Sequence, residues 1–121
     1  MSASKQKGTA AETAVVNWLR EHGWPSAERR ALAGNADRGD IAGIVGVVLE
    51  VKAKKEMDLS GWVKEAQVEK SNDGADFGIV IAKKRGTTDV GDWYAVMPVE
   101  QLAALLDAAG YGNGIGSGGA A

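Results

Sequence analysis

The sequence predicts an α/β domain with one mixed central β-sheet flanked by helices, in the order α-β-β-β-α-β-β-α. Three observations predict it. Short runs rich in β-formers lie at 47–53, 77–82 and 92–97, and longer stretches with helical spacing lie between and around them. The chain has 121 residues, enough for one core of ordinary size, and shows no internal repeat and no mid-chain linker.

The first helix is expected over 10–22. Thr9 suits its N-cap, Ala11, Val15, Trp18, Leu19 and His22 follow helical spacing, and Gly23 with Pro25 stops it. A strand at 26–33 comes next. Two further strands, 38–43 and 47–53, form a hairpin through Ile44, Val45 and Gly46, with the glycine in the left-handed position. A helix over 60–72 presents Leu59, Val63, Ala66 and Lys70 on one face and ends before Gly74. The strands 77–82 and 92–97 enclose a basic, glycine-containing turn, and a last helix over 99–109 ends at Gly110. Six of the 17 glycines follow residue 109, and segment 110–121 is read as a disordered Gly-rich tail with too little apolar content to offset its ordering entropy.

Composition removes several chemistries. No cysteine is present, which excludes disulfides, thiolate metal sites and cysteine nucleophiles. The single histidine, His22, excludes a histidine-rich metal site and suits a cation at a helix C-terminus. The N-terminal residues lack the apolar core of a signal peptide, and no apolar run nears membrane-spanning length, so the expectation is a cytoplasmic protein without membrane contact. The formal charge of −2 argues against a nucleic-acid binder, but basic residues cluster at Lys5/Lys7, Arg29/Arg30, Lys52/Lys54/Lys55 and Lys83/Lys84/Arg85. Acidic residues that hold divalent metal would change the local sign.

The chemistry centres on the hairpin. Glu50 and Lys52 are two apart on the strongest strand and so share a face, roughly 6.6 Å apart along it. With a three-residue loop Gly43 pairs with Val47, and counting back sets Asp40 opposite Glu50, Cβ atoms about 4.5–5.5 Å apart. Two carboxylates there repel unless a cation lies between them, and oxygen ligands suit a hard divalent ion. The apolar neighbours Ile41, Leu49 and Val51 argue for burial, where charge is costly unless used. The competing reading is an exposed strand face with scattered charges. Glu12 is a fourth candidate, although Thr9-Ala-Ala-Glu12 also matches a capping box.

Lys7-Gly8-x-x-x-Glu12, Arg29-Arg30, Gly39-Asp40-Ile41 and Glu50-Val51-Lys52, in this order and spacing, resemble the Holliday junction resolvases of archaeal and phage type. These belong to the PD-(D/E)xK nuclease superfamily, and the resemblance spans about residues 5–100 of this chain. The stretch from Leu59-Ser-Gly-Trp62 through Lys83-Lys-Arg-Gly-Thr-Thr to Asp92-Trp-Tyr looks like resolvases of actinobacterial phages. One departure is glycine, where the motif name carries proline, before Asp40.

The resemblance implies a restriction-endonuclease-like fold, with residues 1–109 as the nuclease domain. It implies Mg²⁺, with Mn²⁺ able to substitute, held by Asp40 and Glu50 with the Val51 carbonyl and Glu12. Lys52 would orient or activate water, or stabilise transition-state charge. The implied substrate is branched, four-way DNA in recombination or replication, cut by a homodimer in the cytosol (the host's, if phage-encoded). Gln67 occupies a helix position where some relatives place a glutamine near the metal; the plain alternative is a solvated residue.

Lys7, Arg29, Arg30, Lys83, Lys84 and Arg85 are candidate DNA contacts, each with a solvated surface charge as its alternative. The four tryptophans suit packing better than base stacking. Two rival functions stay open. One is a nicking, flap or restriction-type nuclease. The other is a protein without cleavage activity, either a nuclease-like binder of nucleic acid or a structural component.

Overall fold

Six residues of the strongest β-forming run, Val47–Lys52, build the middle strand of the sheet, and the other elements are arranged around it. The structure, a computed structural model, describes residues 2–31 and 37–112. Its elements are α1 (Ala3–Glu21), β1 (Glu28–Arg29), β2 (Ile41–Ala42), β3 (Val47–Lys52), α2 (Leu59–Asp73), β4 (Phe77–Ala82), β5 (Tyr94–Val96) and α3 (Val99–Ala108), with a 3-10 turn at Val90–Asp92. They form one open, mixed, five-stranded sheet in the order β1-β2-β3-β4-β5. Among the described strands only β3 and β4 run parallel, and α2 makes the crossover between them that parallel pairing requires. The expected α/β class and element order are both present.

The hairpin register also agrees. Ile41 pairs with Leu49, the same register that sets Asp40 opposite Glu50. Gly46 closes the loop at φ 82°, and the Val47 N–H donates to the Ile44 carbonyl at 3.2 Å.

Four expectations need correction. The first helix begins at Ala3, capped by Ser2, whose hydroxyl accepts the Lys5 N–H at 3.2 Å. Thr9 therefore lies inside the helix, and the Thr9–Glu12 capping box does not form. The reason is that Gly8 is the only weak helix former between Ser2 and Thr9, and one glycine costs only about 1 kcal/mol. The strand expected over 26–33 shortens to Glu28–Arg29; residues 32 and 33 of that expectation lie outside the described residues. The strand expected over 38–43 shortens to Ile41–Ala42, because Gly39 (φ 95°) and Gly43 (φ 99°) break extended geometry on both sides. The inward face of α2 is Trp62, Ala66 and Glu69, one position round from the face expected. Residues 113–121, most of the expected tail, lie outside the described residues.

The pleat of β3 divides two packed layers. Leu49 and Val51 join Ala11, Val15, Val16 and Leu19 of α1, with Ala27, Ile41 and Trp93, in the larger core. On the opposite face Val80 and Ala82 of β4 pack against Trp62 and Ala66 of α2. Trp62 and Trp93 are thus core residues, whereas Trp24 is exposed. Among the described residues, no helix is long and apolar enough to cross a membrane.

Candidate functional site

Alternation along β3 sends Glu50 and Lys52 to the α2 side, away from Leu49 and Val51. There Glu50 is only 3% exposed, in a position where an apolar side chain would complete the layer. Asp40 reaches it from the hairpin. The Asp40 N–H donates to the Leu49 carbonyl at 2.9 Å, and its Oδ2 accepts the Val51 N–H at 2.7 Å, a bond that fixes the carboxylate beside β3. Gly39 explains the departure from proline. Its φ of 95° is closed to proline, and an added Cβ would lie 2.7 Å from Val48 Cγ1.

A cleft of about 320 Å³ holds Glu12, Asp40, Glu50, Val51 and Lys52 together, along with Ser4, Lys7, Gly8, Asp37 and Glu65. The early start of α1 matters here. Ser4, Lys7, Gly8 and Glu12 fall on one helical face and are carried into the cleft wall by a rigid element. Lys7 is thus part of the helix rather than of a frayed end.

Electrostatics in the cleft are strongly perturbed. Burial pushes the Glu50 carboxyl far above the usual carboxylate range, reinforced by Asp40, Glu69 and Glu65. Burial also raises Glu12, partly opposed by its hydrogen bond with Arg29 and helped by the charge of Asp40. The Arg29 Nε donates to Glu12 Oε1 at 3.0 Å, so Glu12 is engaged by an arginine rather than by its helix terminus. Burial alone would lower Lys52, but its hydrogen bond to Glu65 (2.8 Å) and the nearby carboxylates hold its ammonium above the ordinary value. Glu65 is lowered: its bonds with Glu50 and Lys52 overcome the effect of burial.

Three acidic residues that sequence reasoning missed complete the picture. Carboxylate oxygens of Asp37, Glu50, Glu65 and Glu69 all lie within 4.8 Å of one another. Glu69 is 1% exposed, and among the described residues no hydrogen-bond donor from outside this carboxyl cluster reaches either of its oxygens. Burial, with Asp37 and Glu65 adding to it and Glu50 opposing, pushes Glu69 up to about 8. The signal was available in the spacing Trp62, Ala66, Glu69, which puts a glutamate in the inward stripe of α2.

The remaining candidates separate into two groups. Lys7, Lys83, Lys84 and Arg85 line a second cleft of about 540 Å³ with Lys54 and Lys55, and the two clefts share Lys7, Ala53, Lys54 and Lys55. Arg29 and Arg30 border a further hollow with Glu12 and Asp40. Arg30 also approaches Asp73 of α2 at 3.8 Å. Gln67 goes elsewhere: its amide donates to the Gly78 carbonyl (2.9 Å) and to Gln101 Oε1 (3.1 Å). There it braces α2, β4 and α3, and it is not among the residues lining the acidic cleft. No protein-family profile, curated protein or solved structure matches the chain.

Proposed function

We propose that this chain is a divalent-metal-dependent DNA endonuclease of restriction-endonuclease-like fold, acting in the cytosol as a homodimer with four-way junctions as its preferred substrate. The observation that carries the reading is the position of Glu50. A carboxylate 3% exposed, beside Asp40 and Lys52, opens into a cleft that is continuous with a groove lined by lysine and arginine. A buried acid next to a basic groove suits a metal held against a phosphodiester backbone.

The donor set fits a hard cation. Asp40 Oδ2 is engaged by Val51, which leaves Oδ1 for a ligand, and the buried Glu50 carboxylate offers a second oxygen. Asp40 and Glu50 would hold Mg²⁺ or Mn²⁺ with the Val51 carbonyl, and Glu12 would contribute on release from Arg29. The bound ion supplies Lewis-acid polarisation of the scissile phosphate and a more acidic water. Lys52, kept cationic by its carboxylate neighbours, serves as a charge stabiliser for the pentacovalent transition state rather than as a base. Lys7, Lys54, Lys55, Lys83, Lys84 and Arg85 would track the flanking phosphates.

Cleavage of a labelled four-way junction beside a matched linear duplex, in Mg²⁺ and in EDTA, tests this reading. Paired Mg²⁺-dependent nicks confined to the junction are expected. Equal cutting of both substrates would transfer the chain to the nicking, flap or restriction-type class. A second reading, a binder without cleavage, draws on the two ion pairs that occupy Lys52 and Glu12. Junction binding with no cut in either metal would favour it.

A further inference from the structure

We infer that Asp37, Glu65 and Glu69 join Glu50 in a separate, structural site for a calcium-like divalent cation, on the α2 side of β3. It rests on the proposed function only in sharing Glu50. The other three residues are outside the ligand set of Asp40, Glu50, Val51 and Glu12.

An acidic cluster alone would carry little weight. The second observation is Glu69. Its carboxyl group is 1% exposed, lies in the inward stripe of a helix otherwise filled by Trp62 and Ala66, and among the described residues has no donor from outside the cluster. A carboxylate buried without donors carries a desolvation penalty that a bound cation removes. Its near neighbours in the cluster are three further carboxyl groups, so what relieves it is positive, either protons shared among the carboxyls or one metal cation in their place. Lys52 cannot serve all four, because its ammonium is engaged with Glu65 at 2.8 Å.

The chemistry of the donors selects the ion. Every one is a hard oxygen, with no imidazole and no thiolate. The ligand oxygens fall within 4.8 Å of one another. Four carboxylates around one ion favour Ca²⁺, which takes about 6–8 oxygen ligands and tolerates an irregular set completed by water, over Mg²⁺, which usually keeps several waters and only one or two carboxylates.

The cation would act as a clamp. Asp37 belongs to the chain that leads into β2. It is already tied to α2 by the Asn72 side chain, which donates to the Asp37 carbonyl at 2.8 Å. Its Oδ1 accepts the Gly39 N–H at 2.9 Å and so fixes the turn that delivers Asp40. A cation shared by Asp37, Glu65 and Glu69 fastens this segment to α2 and β3 and thereby steadies Asp40.

The test is cation binding by the full chain after chelator treatment, using calorimetric titration with Ca²⁺ alone and with Mg²⁺ alone, beside thermal melts. Wild type should show two binding events, one of them tighter for Ca²⁺ than for Mg²⁺, and should gain melting temperature with Ca²⁺. Glu69→Gln, and independently the exposed-side Asp37→Asn, should each weaken that event by at least ~10-fold, since loss of mere outer-shell partners already costs this much. Asp40→Asn should spare it. If both variants keep wild-type Ca²⁺ affinity and thermal shift, the inference is overturned. One event removed by Asp40→Asn alone would overturn it while leaving the nuclease reading intact. One event removed by Glu69→Gln and Asp37→Asn but not by Asp40→Asn would support it and remove the metal site from the nuclease reading. No cation binding in wild type would overturn both, with protons alone holding the cluster together.

Discussion

The two faces of β3 are made by one strand under opposite rules. Toward α1, Leu49 and Val51 are buried among aliphatic residues, each of that type contributing about 1.5–3 kcal/mol on burial. Toward α2, Glu50 is buried about as deeply, Lys52 lies beside it, and Glu69 comes down on them from the helix. A buried charge costs several kcal/mol that its partners only partly offset. Leucine at position 50 or 69 would fill the layer without that cost. The α1 face holds the fold together, and the α2 face sacrifices stability for a concentration of carboxyl groups with displaced pKa values, a pattern that clusters at functional sites but that structural ion-pair networks also produce.

The largest expected effect comes from removing charge where cleavage is proposed. Asp40→Asn retains an oxygen to accept the Val51 N–H and so preserves the hairpin while removing the anion. Junction cleavage should fall by at least ~10²-fold, the scale of a lost electrostatic stabiliser. Unaltered cleavage by a folded Asp40→Asn protein would end the assignment of this residue. Lys52→Ala should also lose about 10²-fold in rate while metal affinity changes little. A drop in metal affinity as large as the drop in rate would instead make Lys52 a device for positioning carboxylates.

Stability measurements sharpen the contrast between the faces. Leu49→Ala should cost about 2–5 kcal/mol in urea unfolding, as for other core truncations. Glu69→Gln should do the reverse in metal-free protein and raise the melting temperature, because it replaces an unpaired buried acid by a neutral amide. The pH dependence follows from the same group. Glu69 has a folded-state value of about 8, above its ordinary 4.5, so the fold holds a proton that the unfolded chain releases. Metal-free stability should therefore be greatest below about pH 4.5 as far as this group contributes, and decline as pH rises toward 8. The Glu69→Gln variant should show a shallower decline between those values; an identical profile would place the unfavourable charge elsewhere.

Local rules made the fold legible. Period-two alternation, the glycine-closed loop at Gly46 and the C-terminal stop at Gly74 (φ 68°) are written in neighbouring residues, and β4 occupies the expected 77–82. The register that sets Asp40 against Glu50 came from counting across that loop. The acidic cluster was less legible because it needs tertiary information. Asp37 and Glu69 are 32 positions apart, and only the packing of α2 on β3 brings them together. Choosing Leu59 and Val63 as the inward face turned Glu69 away. Those residues looked more apolar, yet Leu59 is 45% exposed. Gln67 was read through an analogy of position, whereas the Gly78 backbone determines where its amide goes. The capping-box alternative for Glu12 rests on a local four-residue pattern, whereas the partner it finds, Arg29, lies 17 residues on.

The smallest expected effect concerns the seam between the acidic cleft and the basic groove. Arg85 lines the groove with Lys83 and Lys84 at the end of β4, exposed and close to Lys54 and Lys55. Each phosphate contact releases condensed counterions, so the logarithm of the binding constant falls with the logarithm of salt, by about 0.9 per contact on duplex DNA. Arg85→Ala should weaken junction binding severalfold at low salt and reduce the salt slope by ~1, with cleavage per bound complex unchanged. Duplex and junction should lose affinity alike, because phosphate contacts carry no structural discrimination of their own. A loss confined to the junction would instead mean that the groove reads branch geometry. An unchanged slope would return Arg85 to an ordinary solvated turn and confine the DNA surface to Lys7, Lys54 and Lys55, the basic residues the two clefts share.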